Sequence, residues 1–436
     1  MRTTRFHWDG SDPGEAERVR ALAPPGEEVA SRVADTLAEV REGGDAALLE
    51  LCERYDGVRP GALRAGEGEL RDAPSSLDDD LLEALTVAAA NVRIVAEAQL
   101  AADPPPIELP QGQRVTLREV PVSAAAVYVP GGRAAYPSSA IMGCVAATAA
   151  GVERVAIASP PAPDGSIAPA VLAAAAIGGA TEAYAVGGAQ AIAALAFGTE
   201  TVEPVDVIAG PGGPYVQEAK LQVSRRVGID GYAGPSELMV LFDAEAPLEW
   251  LALDLCAQAE HGADGLLVAA SASGRLLDEL ERVVEARAAE RPGVTDAPLA
   301  LVELSDLEAG IALAERIAPE HLQIACAGAE RLAAEVRTAG CVFAGAASAT
   351  AFGDYVAGSN HVLPTAGAGR FAGPLGPRAF RRPLAVVEID AEAAAALAPP
   401  LATLAEAEGF PVHAESAAAR AGAPRGANGA GGGEAR

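Results

Sequence analysis

The feature that most constrains this chain is an alternation beginning near residue 116. Short apolar runs are each followed by a Gly or Pro turn and then by an Ala-rich stretch of helical length. Runs at 124–129, 153–158, 183–186 and 205–208 have the length of buried strands. Strands alternating with helices in this way build a parallel sheet with helices packed on its faces. A second series follows Gly234, with strands near 238–242, 265–270, 298–303, 322–326 and 341–344 and helices near 247–261, 275–290, 306–317 and 328–339. The economical reading is an α/β chain with two tandem Rossmann-like units, each incomplete and doubly wound, over 116–235 and 236–380.

Outside the alternation, apolar positions at three and four residues around 33–37, 48–51 and 81–95 predict helices, and Pro104 to Pro106 mark a linker. Residues 1–115 are therefore expected to form a helical segment packing on the second α/β unit. The stretch 383–420 offers one strand-like run, Leu384 to Ile389, and helices interrupted by Pro399 and Pro400. That is too little to bury a core alone, so 381–436 is expected to pack on another surface, with a second subunit as the candidate. Residues 421–436, rich in Gly and Ala, are expected to be disordered.

The balance of 32 basic against 60 acidic residues, −28 at neutral pH, repels nucleic acid and anionic membranes and favours a small substrate. Of the basic residues only Lys220 is a lysine, which reads as coding bias. Five widely spaced cysteines (Cys52, Cys144, Cys256, Cys326, Cys341) without a CxxC pair suit reduced core positions in a cytoplasm. No signal peptide is visible, and the uncharged stretches near 165–181 and 183–199 are broken by Pro169 and several glycines, against a membrane span.

Three glycine turns fall at the carboxyl ends of predicted strands: Pro130–Gly132, Gly187–Gly188 and Gly210–Gly213. Ligands of open parallel sheets bind at those ends, where glycine admits close backbone approach and helix N-termini attract phosphate. A nucleotide cofactor fits; equally, each turn alone serves only to connect short elements. Neither GxGxxG nor a Walker A sequence occurs.

Of the five histidines, His7 falls in an N-terminus expected to fray. His261 follows Gln258 by three residues at a helix end, so two ligand-type side chains share a face; the alternative is a histidine serving the helix dipole. Glu320 and His321 follow Pro319 before a predicted strand, an acid and an imidazole able to divide proton work, or else an exposed turn pair. Asp354 and His361 sit in a Gly-rich stretch, 345–376, without regular periodicity, and long irregular loops in compact enzymes are commonly functional. An N and O donor set without closely spaced thiolates suits zinc, although HExxH is absent.

Five segments together resemble the histidinol dehydrogenase family: 186–196 (ValGlyGlyAlaGlnAlaIleAlaAlaLeuAla), 234–237 (GlyProSerGlu), 255–262 (LeuCysAlaGlnAlaGluHisGly), 318–322 (AlaProGluHisLeu) and 353–365 (GlyAspTyrValAlaGlySerAsnHisValLeuProThr). The resemblance runs from about residue 30 to 420. It implies oxidation of L-histidinol through L-histidinal to L-histidine with two NAD+, the last steps of histidine biosynthesis. It further implies zinc held by Gln258, His261, Asp354 and His413, the last reaching across a homodimer through an exchanged C-terminal tail. Ser236, His361 and Glu408 would contact substrate alongside the zinc ligands and His321. His321 would take the hydroxyl proton, and Glu320 would activate the water that adds to the aldehyde. Tyr128, Gln190 and the position of Gly213 match cofactor contacts.

Departures from the family pattern lie on the nucleotide side or in loops: Gly213 where Asn is usual, Gly143 and Ala146 where Asn and Pro are usual, and a divergent Ser348–Ala351. Two alternatives follow. One is a zinc- and NAD-dependent dehydrogenase of the same family acting on another small alcohol, against which His361, Glu408 and His413 argue. The other is a non-catalytic homologue with weakened NAD binding, against which the intact Glu320 and His321 argue.

Overall fold

The computed structural model describes residues 1–23, 28–131 and 134–421. Two compact units emerge, one from residues 1–100 and 122–380, the other from 101–121 and the chain beyond 381. The larger unit opens with strand β1 (Arg2–Trp8) and continues through helices Pro13–Arg20, Ala30–Tyr55 and Asp79–Ala98. Strands β2 (Ile107–Glu108) and β3 (Arg114–Pro121) belong to the smaller unit.

Next come β4 (Ala124–Tyr128), β5 (Arg154–Ser159), β6 (Glu182–Ala185), β7 (Val207–Ala209) and β8 (Gly228–Ile229). They form a parallel sheet ordered β6-β5-β4-β7-β8. The chain then repeats the pattern with β9 (Glu237–Phe242), β10 (Leu266–Ser271), β11 (Pro298–Leu304), β12 (His321–Ala325) and β13 (Cys341–Ala344). This second parallel sheet is ordered β11-β10-β9-β12-β13, with β1 added beside β11. Strands covered on both faces carry continuous apolar runs rather than alternation, and every residue of β4, β9 and β10 is buried.

The first sheet divides its side chains cleanly. Val127, Val155 and Ile157 face the helices Pro137–Ala149 and Pro169–Gly178, while Ala126, Tyr128 and Ala158 face Gly188–Phe197 and Ala30–Tyr55. Helix Pro137–Ala149 comes so close to β4 that a Cβ added at Gly143 would stand 2.3 Å from Val127 Cγ1.

In the smaller unit β3 pairs antiparallel with β14 (Arg381–Glu388) along its whole length, and helices Ala391–Ala407 and Pro411–Ala421 pack together.

Four expectations are corrected. Residues 1–115 are not one helical segment on the second sheet: β1 joins that sheet and helix Pro13–Arg20 packs near it, but Ala30–Tyr55 and Asp79–Ala98 pack on helices of the first sheet. His7 is accordingly paired in β1 rather than frayed, in a strand anchored where Trp8 Nε1 donates to Ala309 O at 2.9 Å. Residues 101–121 belong to the smaller unit, where 114–121 pair with 381–388, a contact across some 260 residues that no local pattern reveals. The helix Ala391–Ala407 runs through Pro399 and Pro400; proline's fixed φ is helical, and the carbonyls it leaves without a donor lie on a largely exposed helix open to water. Beyond Ala421, the end of the last helix, the tail expected to be disordered falls outside the described residues, as does Gly132 of the first glycine turn.

The packing yields two expected outcomes. Gly143→Ala forces a β-branched neighbour aside and should cost about 1–3 kcal/mol, read as a lower urea midpoint with unchanged slope; an unchanged midpoint would show that Val127 yields freely. At the end of helix Ala30–Tyr55, burial pushes the Asp56 carboxyl up to about 6, only partly offset by the Gln190 amide at 3.4 Å. The folded state therefore holds a proton that the unfolded chain has lost between about pH 4 and 6, so this group's contribution falls as pH rises through that window. Asp56→Asn should raise the urea midpoint more at pH 7 than at pH 4, and an equal change at both would assign the burial penalty elsewhere.

Candidate active site

The glycine turns of the first sheet leave its strands at their carboxyl ends, whereas the titratable residues of the second sheet gather at the amino ends. Glu237 begins β9 and His321 begins β12, paired in register with Leu238, with Glu320 just before it. His261 sits in the turn leading to β10, one residue past the Glu260 that caps helix Leu248–Ala259. A cavity of about 340 Å3 joins the two edges. Pro211, Gly212 and Gly213 line it from the first sheet, and Ser236, His261, Glu320, His321, Asp354 and His361 from the second.

Glu320 and His321 are buried, not an exposed turn pair. Glu320 Oε2 accepts from Ser236 Oγ at 2.6 Å and from the Glu237 amide at 2.7 Å. Ser236 Oγ in turn accepts from Gln258 Nε2 at 2.6 Å, which leaves the Gln258 amide oxygen for another partner. His321 Nδ1 lies 2.9 Å from Glu237 O. A carbonyl only accepts, so Nδ1 carries the hydrogen, and in the neutral ring Nε2 offers its lone pair. Nε2 lies 3.6 Å from Asp354 Oδ1. Burial works against the charged ring, yet the carboxylates of Glu320 and Asp354 outweigh it and hold the imidazole well above its usual value.

Asp354 lies on the helix Thr350–Tyr355, inside the stretch expected to be irregular. Burial opposes its charge, but His321, His361 and His261 more than compensate and hold the carboxyl below the usual carboxylate range. His361 Nδ1 donates to Asp354 O at 2.7 Å, leaving Nε2 to accept from Ser139 Oγ at 3.3 Å, and burial lowers its tendency to charge.

The structure thus brings together Ser236, His261, Glu320, His321, Asp354 and His361 around one cavity, with Gln258 linked through Ser236. Tyr128 and Gln190 are not among its lining residues. They stand at the carboxyl edge of the first sheet, where Tyr128 Oη accepts from the Gly188 amide at 3.1 Å and burial pushes the phenol up to about 12. Glu408 and His413 belong to the smaller unit, both exposed there. Among the described residues no three His, Cys, Asp or Glu side chains are arranged to hold a metal ion.

Two residues escaped the reading of the sequence. Glu237 touches both Glu320 and His321 through its peptide groups, and its carboxylate accepts from Arg20 at 2.6 and 2.9 Å. It stood inside the quoted segment 234–237, but nothing local distinguishes a charge that points back into the fold. Asp56 beside Gln190 is visible only through the packing of a distant helix.

A family model described as histidinol dehydrogenase matches residues 23–421. The histidinol dehydrogenase of Rhodopseudomonas palustris is 41% identical over 424 residues, covering 94% of this chain and 98% of that one. That of Ruegeria pomeroyi is 43% identical over 397 residues, 89% of this chain and 91% of that one. The crystal structure of histidinol dehydrogenase from Elizabethkingia anophelis superposes with a TM-score of 0.87 at 30% identity, covering 96% of this chain and 98% of that one. The chain belongs to the histidinol dehydrogenase family.

Proposed function

We propose that the chain oxidises L-histidinol through L-histidinal to L-histidine with two NAD+, the last steps of histidine biosynthesis. The observation that carries this reading is the tautomer of His321: its Nδ1–H is spent on Glu237 O, and Nε2 faces the cavity beside Asp354. With the Asp354 charge engaged by zinc, His321 would lose one of the two carboxylate interactions that hold it protonated, and the neutral ring would accept the substrate hydroxyl proton at Nε2 as hydride leaves the adjacent carbon. Glu320, its Oε2 occupied by two donors, accepts a proton from the water that adds to the aldehyde. His321 returns its proton to the aldehyde oxygen as the hydrate forms, and takes a hydroxyl proton again as the hydrate loses its second hydride. Ser236 and His361 orient the substrate, with Glu408 of the tail as a further contact.

The donor chemistry fits zinc: the amide oxygen of Gln258, the His261 imidazole and an Asp354 carboxylate kept ionised despite burial. Three such donors leave a tetrahedral site incomplete, which supports the reading that His413 of a second chain completes it. When bound, zinc positions and polarises the substrate, and NAD+ takes the hydride. Tyr128, Gln190 and the turn at Gly213 are the cofactor contacts in this reading.

The two sheets share one strand order, the second repeating the first, which supports two tandem Rossmann-like units. The smaller unit buries Ala393, Ala398 and Ala405 but exposes Leu404, Phe410 and Val412. An element with so little core of its own supports a tail exchanged across a homodimer. No helix among the described residues is long and apolar enough to cross a membrane. The free cysteines, four of them buried, fit the cytoplasm.

The test is stoichiometric. The zinc-loaded protein should form two NADH per histidinol, and turnover of a different alcohol with none from histidinol would assign another substrate. His321→Ala should lower kcat about 10²–10⁴-fold with zinc content unchanged by metal analysis; loss of the metal instead would exchange the assigned roles. Mixing a His413→Ala chain with a Glu320→Ala chain should restore part of the activity, and verified heterodimers without recovery would argue that each site is built from one chain.

A further inference from the structure

Lys220 is the sole lysine among 32 basic residues. A composition that has set arginine at the other 31 basic positions makes the exception informative. Its side chain is 0% exposed, on the helix Pro214–Val223, and pairs with Asp230, which follows β8 and is itself buried. Lysine presents a compact charge with three donors, whereas a guanidinium is planar, larger and carries five. Such a site selects lysine on shape.

The pair closes on a single residue. Lys220 Nζ donates to Gly210 O at 3.0 Å, and the Gly210 amide donates to Asp230 Oδ2 at 2.7 Å. Both peptide groups of Gly210 are thus held by side chains of opposite charge. Gly210 also has φ +121°, and a Cβ there would stand 2.2 Å from Tyr128 O, so the backbone is pinned against β4 as well. The turn that starts at Gly210 continues through Pro211, Gly212 and Gly213, which line the cavity.

We propose that Lys220 and Asp230 are positioning residues for cofactor binding, a buried clamp that fixes the Gly210–Gly213 turn so that its backbone meets the dinucleotide. This deepens the reading above, resting on NAD+ as the cofactor and on this turn as part of its site. Gly213 sharpens the argument: it brings no side chain to the cofactor, so whatever the turn contributes must come from correctly placed peptide groups. Asp230 extends the clamp to the segment after β8, where Tyr232, Gly234 and Pro235 line the same cavity.

Kinetics of the full-length, zinc-loaded protein test the clamp, with histidinol saturating and NAD+ varied. Lys220→Met removes the ammonium, and Lys220→Met combined with Asp230→Asn also avoids a lone buried charge. Each should raise the KM for NAD+ about ten-fold or more, leaving kcat and the KM for histidinol within about three-fold, the split expected when ground-state binding is lost. Lys220→Arg should share the defect, because charge without the compact shape does not restore the contacts. An unchanged KM for NAD+ in a folded variant lacking the ammonium overturns the proposal, as does an equal loss in both substrates. Should neither variant fold, hydrogen exchange in the natural chain decides: NAD+ should slow the Gly210 amide about ten-fold while histidinol alone leaves it unchanged, and equal or absent protection overturns the clamp. Calorimetric NAD+ affinities separate the two levels. A chain that binds NAD+ through the clamp yet forms no NADH from histidinol sinks the reaction assigned above, whereas NADH formation with clamp-independent NAD+ binding sinks the clamp alone.

Discussion

The contact that orders the centre of the cavity is made by the peptide groups of Glu237. Its amide donates to Glu320 Oε2 and its carbonyl accepts from His321 Nδ1, so one residue at the start of β9 fixes the orientation of both Glu320 and the first residue of β12. The Glu237 carboxylate, in turn, accepts from the Glu320 and Ala366 amides and from Arg20. Burial pushes this carboxyl up, and Arg20 opposes the shift. Without that guanidinium a second carboxylate would lie uncompensated beside Glu320, and a buried charge deprived of its partner costs about 3–5 kcal/mol. The N-terminal helix Pro13–Arg20 is therefore tied to the chemistry although it lines no part of the cavity.

The cavity joins unlike edges. Parallel sheets bind ligands at their carboxyl ends because the loops there separate at the point where strand order reverses, and the first sheet follows this rule with the turn after β7 beside β4. The second sheet contributes its amino edge, where Glu237 pairs with Leu266 and, one residue further along, Leu238 pairs with His321 and His321 with Cys341. Side chains that begin strands are held by ladder hydrogen bonds from their first residue onward. His321, placed there, inherits the rigidity of the sheet, whereas the glycine turns opposite offer backbone rather than side chains.

Much of this organisation was legible in the sequence, and the illegible part has a common cause. Strands β4 to β7 and β9 to β13 fall within a few residues of the apolar runs, because burial on both faces writes itself as unbroken hydrophobicity. Gln258, His261, Glu320, His321, Asp354 and His361 were each singled out by residue type and spacing, and five of the six line one cavity. What local pattern did not carry was pairing at long range: β1 with β11, β3 with β14, Arg20 with Glu237. Strand β3 shows the reason, since exposed residues fill most of its length and leave little apolar periodicity to read. The amino-edge location of the site was equally hidden, because it depends on how the two sheets of the larger unit face each other rather than on any segment alone.

Alanine-rich composition shapes the interior as well as the surface. The helix Gly188–Phe197 buries mostly alanine against the first sheet, the helices Pro137–Ala149 and Pro169–Gly178 bury three alanines each, and each buried alanine removes far less apolar area from water than a leucine does. Small side chains offset this by letting elements approach closely, so that each atom finds neighbours at contact distance. Gly143 against Val127 and Gly178 against Cys144, where an added Cβ would lie 2.3 and 2.6 Å from its neighbour, are two points of close approach between these helices and their neighbours. The helix Pro137–Ala149 that presses on β4 through Gly143 also carries Ser139, whose hydroxyl meets His361. Close packing in the core thereby sets the position of a side chain at the cavity, which gives the choice of glycine at 143 consequences for the site.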